Sequence, residues 1–136
     1  MEKYSLFAVG ATYDGKDVSG DFIANNVIGV GWSKQTAPEL KCFIEHMAVG
    51  DVVYIKSCNF SSNIRVKAIG RIVDDEILVN FPVNKIDVIT FGRNVEWLYT
   101  EPFSIDKPRE KNNVRSNALY QEFHPEVIKI IGSKIS

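Results

Sequence analysis

Hydrophobic and polar residues alternate over short stretches along most of the chain, and this two-residue period is typical of β-strands. The stretches are rich in β-branched and aromatic residues and are bounded mainly by Gly, Asp and Asn. The pattern predicts about six strands, at Tyr4–Val9, Val27–Trp32, Val52–Lys56, Ile64–Val73, Ile86–Phe91 and Asn94–Phe103.

The segments between the strands carry signals for two or three short helices. The clearest is an apolar stripe with i, i+3, i+4, i+7 spacing, formed by Leu40, Phe43, Ile44 and Met47. A brief helix is predicted over 17–23, and a terminal helix over 126–131 follows His124-Pro125. Together the elements predict an α+β fold, a small curved or closed antiparallel β-barrel, in a single domain over residues 1–136.

Composition limits the possible functions without selecting one. The 136 residues are 45% hydrophobic and 24% charged, and their formal net charge is −1. Whole-molecule charge therefore attracts neither nucleic acid nor an anionic membrane, and a nucleic-acid role needs a local basic patch. Because the sequence has no cationic leader and no apolar run of about 20 residues, we expect a cytoplasmic protein outside the membrane.

Metal binding is not favoured by the cysteines and histidines. Cys42 and His46 lie four residues apart on a predicted helix, a spacing that suits two ligands on one face. Tetrahedral zinc needs two more ligands, and Cys58 and His124 lie in unrelated contexts. We expect reduced thiols, no metal and no cofactor.

A polar pair and three basic residues are the candidate nucleic-acid contacts. Lys56-Ser57 lies where a predicted strand ends, and a lysine and a hydroxyl there suit a phosphate and a base edge. On the next strand, strict alternation places Arg65, Lys67 and Arg71 on one outward face, which suits phosphate contacts. The alternative is a solvated face whose charges are balanced by nearby acids.

Tryptophan supplies the candidate stacking surface. Trp32 ends a predicted strand, and Gly29 and Gly31 leave space beside it. An aromatic face next to open backbone suits the stacking of a flat base, and core packing is the alternative for Trp32. Trp97 alternates with Val95 and Tyr99, which favours core packing.

In the order of these elements the chain resembles the PUA-like superfamily, and within it the EVE-like and YTH-like domains. The resemblance covers roughly the first 75 residues; its main points are Gly31-Trp32-Ser33, Met47-x-x-Gly50-Asp51, Val53–Ser57 and Ala68–Val73. It is nearest to the modified-DNA-reading domains of restriction systems. It implies a rim pocket for one extruded or modified base, lined by Trp32, Ser33, Lys56 and Ser57, with backbone contacts from Gly10 and Ala11.

The resemblance implies a nucleic-acid partner, DNA or RNA, and leaves two alternatives open. Some PUA-like relatives of the ASCH type are small hydrolases, for which Lys56, Tyr54 and Glu96 are the candidate groups. No Ser, His and Asp come together in the sequence as a catalytic triad. The second alternative is a protein-interaction or small-ligand domain, in which the apolar stretch Ile77–Val83 could form an exposed edge or a dimer contact. An ordinary buried strand is the simpler interpretation of that stretch.

Overall fold

The computed structural model describes residues 4–13, 16–31, 37–57, 64–105 and 119–136, and of residues 12–13, 37–40 and 57 it describes the backbone alone. The strands within these ranges are β1 Leu6–Gly10, β2 Thr12–Tyr13, β3 Lys16–Asp17, β4 Val27–Val30, β5 Val52–Ser57, β6 Ile64–Ile72, β7 Leu78–Pro82, β8 Val88–Tyr99, β9 Phe103–Ile105 and β10 Leu119–Gln121. The helices are α1 Ser19–Asn25, α2 Ala37–His46 and α3 Pro125–Ile135.

Eight of these strands form one strongly curled sheet, a half-barrel of the α+β class. The order is β10-β1-β5-β6-β8-β4, with β7 also paired to β8 and β9 also paired to β6. The sheet is mixed, so the prediction of an antiparallel barrel is wrong at one pair. β1 and β5 run parallel because α1, β4 and α2 lie between them and return the chain to the same end of the sheet.

Both faces of the sheet are covered. On one face, here called the α2 face, Phe7, Val9, Val53 and Ile55 pack in one core cluster with apolar residues of α1 and α2. On the other, the α3 face, Leu6, Ala8, Val52 and Tyr54 pack with Val127 and Ile131 of α3. The alternation along β5 therefore separates the two cores in the way its sequence predicts.

β8 is one 12-residue strand where the sequence predicted two strands around Gly92-Arg93. Gly92 does not break it, because its missing side chain makes room for β4. A Cβ on Gly92 would lie 2.4 Å from the Ile28 carbonyl oxygen, and one on Gly29 would lie 2.6 Å from the Phe91 oxygen. The space beside Gly29 is thus occupied by β8. Farther along, Trp97 packs against the α2-face core over Gly70, as predicted, whereas Tyr99 packs against the α3-face core and does not share its face.

Arg93 joins this strand to the end of α2. The residue is 1% exposed. Its Nη1 donates to the carbonyl oxygens of Ile44 (2.8 Å) and Met47 (2.5 Å), and its Nη2 donates to that of Asp74 (2.7 Å). Burial lowers the pKa of the guanidinium, and nearby carboxylates oppose the shift. A buried cation thus satisfies carbonyls that a helix end leaves without partners and neutralises the negative end of the helix dipole.

We expect Arg93→Ala to lower the free energy of unfolding by about 3 kcal/mol or more, because two buried carbonyls and one part-buried carbonyl lose their donor. Arg93→Lys keeps the charge without the forked geometry, so its loss should be smaller than that of the alanine variant. Urea denaturation followed by circular dichroism measures both. A loss below about 1 kcal/mol for the alanine variant would contradict this assignment.

Candidate functional site

Residues from three separate segments meet at one end of the sheet. Because β1 and β5 run parallel, their final residues lie side by side, and Gly10 is the register partner of Lys56. On the other side of β5, Ser57 pairs with Arg65 at the beginning of β6. We call this group, with Ala11, the strand-end site. It contains four of the six predicted ligand contacts, Gly10, Ala11, Lys56 and Ser57, and one of the three predicted phosphate contacts.

A β-bulge changes the direction of the side chains along β6. Ile55 pairs with Ala68 and Lys56 pairs with Val66, so Lys67 is an extra residue. Side chains before the bulge and after it therefore exchange faces. In agreement with this, Val66 packs in the α3-face core and Ala68 packs in the α2-face core. The prediction that Arg65, Lys67 and Arg71 share one outward face is wrong, because strict alternation does not hold across Lys67.

The three basic side chains also differ in their partners. Arg71 Nη2 lies 2.6 Å from Glu96 Oε1, and Lys67 Nζ lies 3.7 Å from Asp17 Oδ2. Exposed Arg65 meets the neutral hydroxyl of Ser104 at 3.4 Å. Two of the three charges are therefore balanced by acids, as the alternative interpretation of this strand expected. Arg65 has no acidic partner in the described part of the chain and lies beside the strand-end site.

Lys56 is buried on the α3 face, with 8% of its surface exposed. Its ammonium donates a hydrogen bond to the Tyr120 hydroxyl at 2.5 Å and lies 4.5 Å from the centroid of that ring. The side chain is thus held against β10 and is not spread over an open rim. Tyr120, which the sequence analysis did not single out, is a central partner of the site.

A second buried hydrogen bond lies on the same face. Tyr54 donates to Glu122 Oε1 at 2.5 Å, and the backbone N–H of His124 lies 3.2 Å from Glu122 Oε2. Burial raises the pKa of Tyr54 far above its usual range, and Tyr120 and Glu122 add to the shift. We call Tyr54, Lys56, Tyr120 and Glu122 the buried polar cluster. It joins the amine of Lys56 and the carboxyl of Glu122 to two phenol groups.

Glu122 replaces Glu96 as the acid near Lys56 and Tyr54. Glu96 lies on β8, where it is the register partner of Arg71 and forms an exposed ion pair with it. Glu122 follows β10, a strand of three residues. The sequence gives no periodic signal for it, because Leu119 and Tyr120 are followed by two polar residues, Gln121 and Glu122.

Two residues of the predicted pocket, the stacking residue Trp32 and its neighbour Ser33, lie outside the described residues. Among the residues described, no three His, Cys, Asp or Glu side chains lie close enough together to hold a metal ion. Within the same ranges, none of the helices has the length and hydropathy needed to cross a bilayer. No protein-family model matches the chain, and a search of curated proteins finds no similar sequence.

The raised pKa of Tyr54 predicts a loss of stability in alkali. In the unfolded chain the phenol ionises near pH 10, whereas in the fold it stays neutral. The stabilisation is therefore complete below about pH 10 and falls by about 1.4 kcal/mol per pH unit above it. Urea denaturation from neutral to alkaline pH should show a steeper fall for the parent than for Tyr54→Phe. Equal slopes would contradict the burial of an ionisable group here.

Proposed function

We propose that the chain is a non-catalytic nucleic-acid-binding module that reads a modified or flipped base at the strand-end site. The observation that carries the proposal is the meeting of Gly10, Lys56, Ser57 and Arg65 at the shared end of β1, β5 and β6. Loops that follow parallel strands lie close together, which is a common location for ligand sites. In this proposal the following segments, with Trp32 and Ser33, complete the pocket.

The charges at this end suit a phosphate backbone. Arg65 is exposed and meets a neutral hydroxyl, so its guanidinium keeps donors for phosphate oxygens. Lys56 contributes positive potential from behind the strand ends, where the low dielectric weakens its screening. Arg71 lies farther along β6, where it pairs with Val52 at the beginning of β5. This position is about 17 Å from Ser57, the partner of Arg65. We therefore assign the backbone contact to Arg65, with Lys67 second.

Glycine at position 10 suits close approach by a planar ligand. It has no side chain, and its strand neighbour Lys56 directs its own side chain into the α3-face cluster. The residue after it, Ala11, is buried and accepts a backbone hydrogen bond from Val18 at 2.7 Å. This part of the site is thus rigid before a ligand arrives, which lowers the entropic cost of binding.

Fluorescence anisotropy with short labelled oligonucleotides tests the proposal. Single strands and duplexes, each with and without one methylated base, are titrated at about 50 and 200 mM salt. We expect salt-sensitive binding, with Arg65→Ala reducing the slope of log K against log salt by about one, the value for one phosphate contact. Trp32→Ala should weaken binding by about tenfold or more, as expected for the loss of a stacked base.

Arg71→Ala is the matched control, because it removes an exposed arginine from the same strand at the other end. It should leave both the affinity and the salt slope close to those of the parent. The absence of binding to every oligonucleotide at low salt would refute the proposal. Equal losses in the two arginine variants would show that binding is not localised to the strand-end site.

A second candidate function, a small hydrolase acting on acylated nucleosides, is favoured by the buried polar cluster. An ammonium hydrogen-bonded to one phenol, beside a second phenol bound to a carboxylate, resembles an acid–base relay. Water would attack the acyl carbonyl and give up a proton to the relay, the C–N bond would break, and the amine would leave with a proton returned by the relay.

This alternative predicts measurable release of the free nucleoside, followed by liquid chromatography. The rate should fall by about 100-fold or more in Lys56→Met and in Glu122→Gln, the usual scale for losing an acid–base group. If the parent protein binds nucleic acid and releases no free nucleoside, the hydrolase alternative is excluded and nucleic-acid binding remains the proposed function. Turnover that survives in Lys56→Met would exclude the cluster as its source.

A further inference from the structure

A cavity lies at the opposite end of the sheet from the strand-end site. It has a volume of about 480 Å³ and lies between the last turn of α3 and the beginning of β5. Val52, Leu98 and Ile135 supply apolar walls, and Arg71 and Tyr4 supply polar groups. The Tyr4 hydroxyl lies beside Gly132 of α3, where an added Cβ would make an ordinary van der Waals contact with it at 3.4 Å.

Arg71 brings donors that the protein does not use. The guanidinium makes one hydrogen bond, from Nη2 to Glu96 Oε1, and 45% of its side chain is exposed. A guanidinium has five N–H donors, and two parallel ones match the oxygens of a carboxylate or phosphate. Within the described residues its Nε and Nη1 have no partner. An exposed ion pair contributes only about 0–1 kcal/mol, so Glu96 is a weak competitor for an incoming anion.

We propose that this cavity binds a small organic anion, with its phosphate or carboxylate group on Arg71 and an apolar ring or chain between Val52, Leu98 and Ile135. The volume is within the range of ligand pockets. The Tyr4 hydroxyl is the second donor. The site is independent of the proposed nucleic-acid function. Arg71 and Arg65 pair with opposite ends of β5, and the bulge places their side chains on opposite faces of the sheet.

Phenyl phosphate is a suitable probe, because it combines a dianion with one ring. Binding is measured by isothermal titration calorimetry on the full chain, with inorganic phosphate and benzoate titrated in parallel. Arg71→Ala should lower the affinity for phenyl phosphate by about tenfold or more, because a charged hydrogen bond is lost. Glu96→Gln should strengthen it by about two- to fivefold, because the competing carboxylate is removed. Leu98→Ala should lower the affinity for phenyl phosphate and leave the affinity for inorganic phosphate unchanged.

Arg65→Ala is the matched control and should leave phenyl phosphate binding unchanged. The same two arginine variants exchange roles in the oligonucleotide titration, so the failure of one site is distinguishable from the failure of the other. The proposal is overturned by the absence of phenyl phosphate binding, by equal affinity for inorganic phosphate, or by an Arg71→Ala variant that binds as the parent does. Thermal unfolding of each variant checks that it is folded.

Discussion

The alignment of β1 with β5 depends on the carboxylate of Asp51. Its Oδ1 accepts from the Ser5 N–H at 3.1 Å, its Oδ2 accepts from the Ala48 N–H at 2.9 Å, and the next N–H, of Val52, donates to the Ser5 carbonyl. One side chain thus joins the residue before β1 to the turn before β5 and fixes the register at the beginning of both strands. Since parallel strands advance together, the same register brings Gly10 beside Lys56 at the far end.

The bulge at Lys67 and the cover on both sheet faces divide the charges of the molecule into separate groups. Without the extra residue, every second side chain of β6 would lie on one face, and Arg65 and Arg71 would share a face. With it, Arg65 lies at the strand-end site and Arg71 lies in the cavity beside α3. A chain with a net charge of −1 can therefore present a basic group locally at two different places.

The elements with strong local signals were predicted, and those that depend on distant pairing were not. The apolar stripe of α2 and His124-Pro125 at the beginning of α3 correspond to helices in the structure, because capping and helical period are properties of neighbouring residues. β10, of three residues, is too short to show a period. The parallel pairing of β1 and the continuity of β8 through Gly92 depend on partners far along the chain.

The position of Lys56 at a strand end was predicted, and the direction of its side chain was not, for the same reason. Lys56 lies at the end of a strand, as the sequence indicated, yet its ammonium is directed toward Tyr120, 64 residues away. A buried ammonium costs several kcal/mol in desolvation, and removing its partners costs more than the pair contributes. Fold stability thus requires Tyr120 to remain beside Lys56. Under the proposed function, discrimination between ligands would therefore depend on groups in front of the strand ends, namely the backbone at Gly10 and the exposed guanidinium of Arg65.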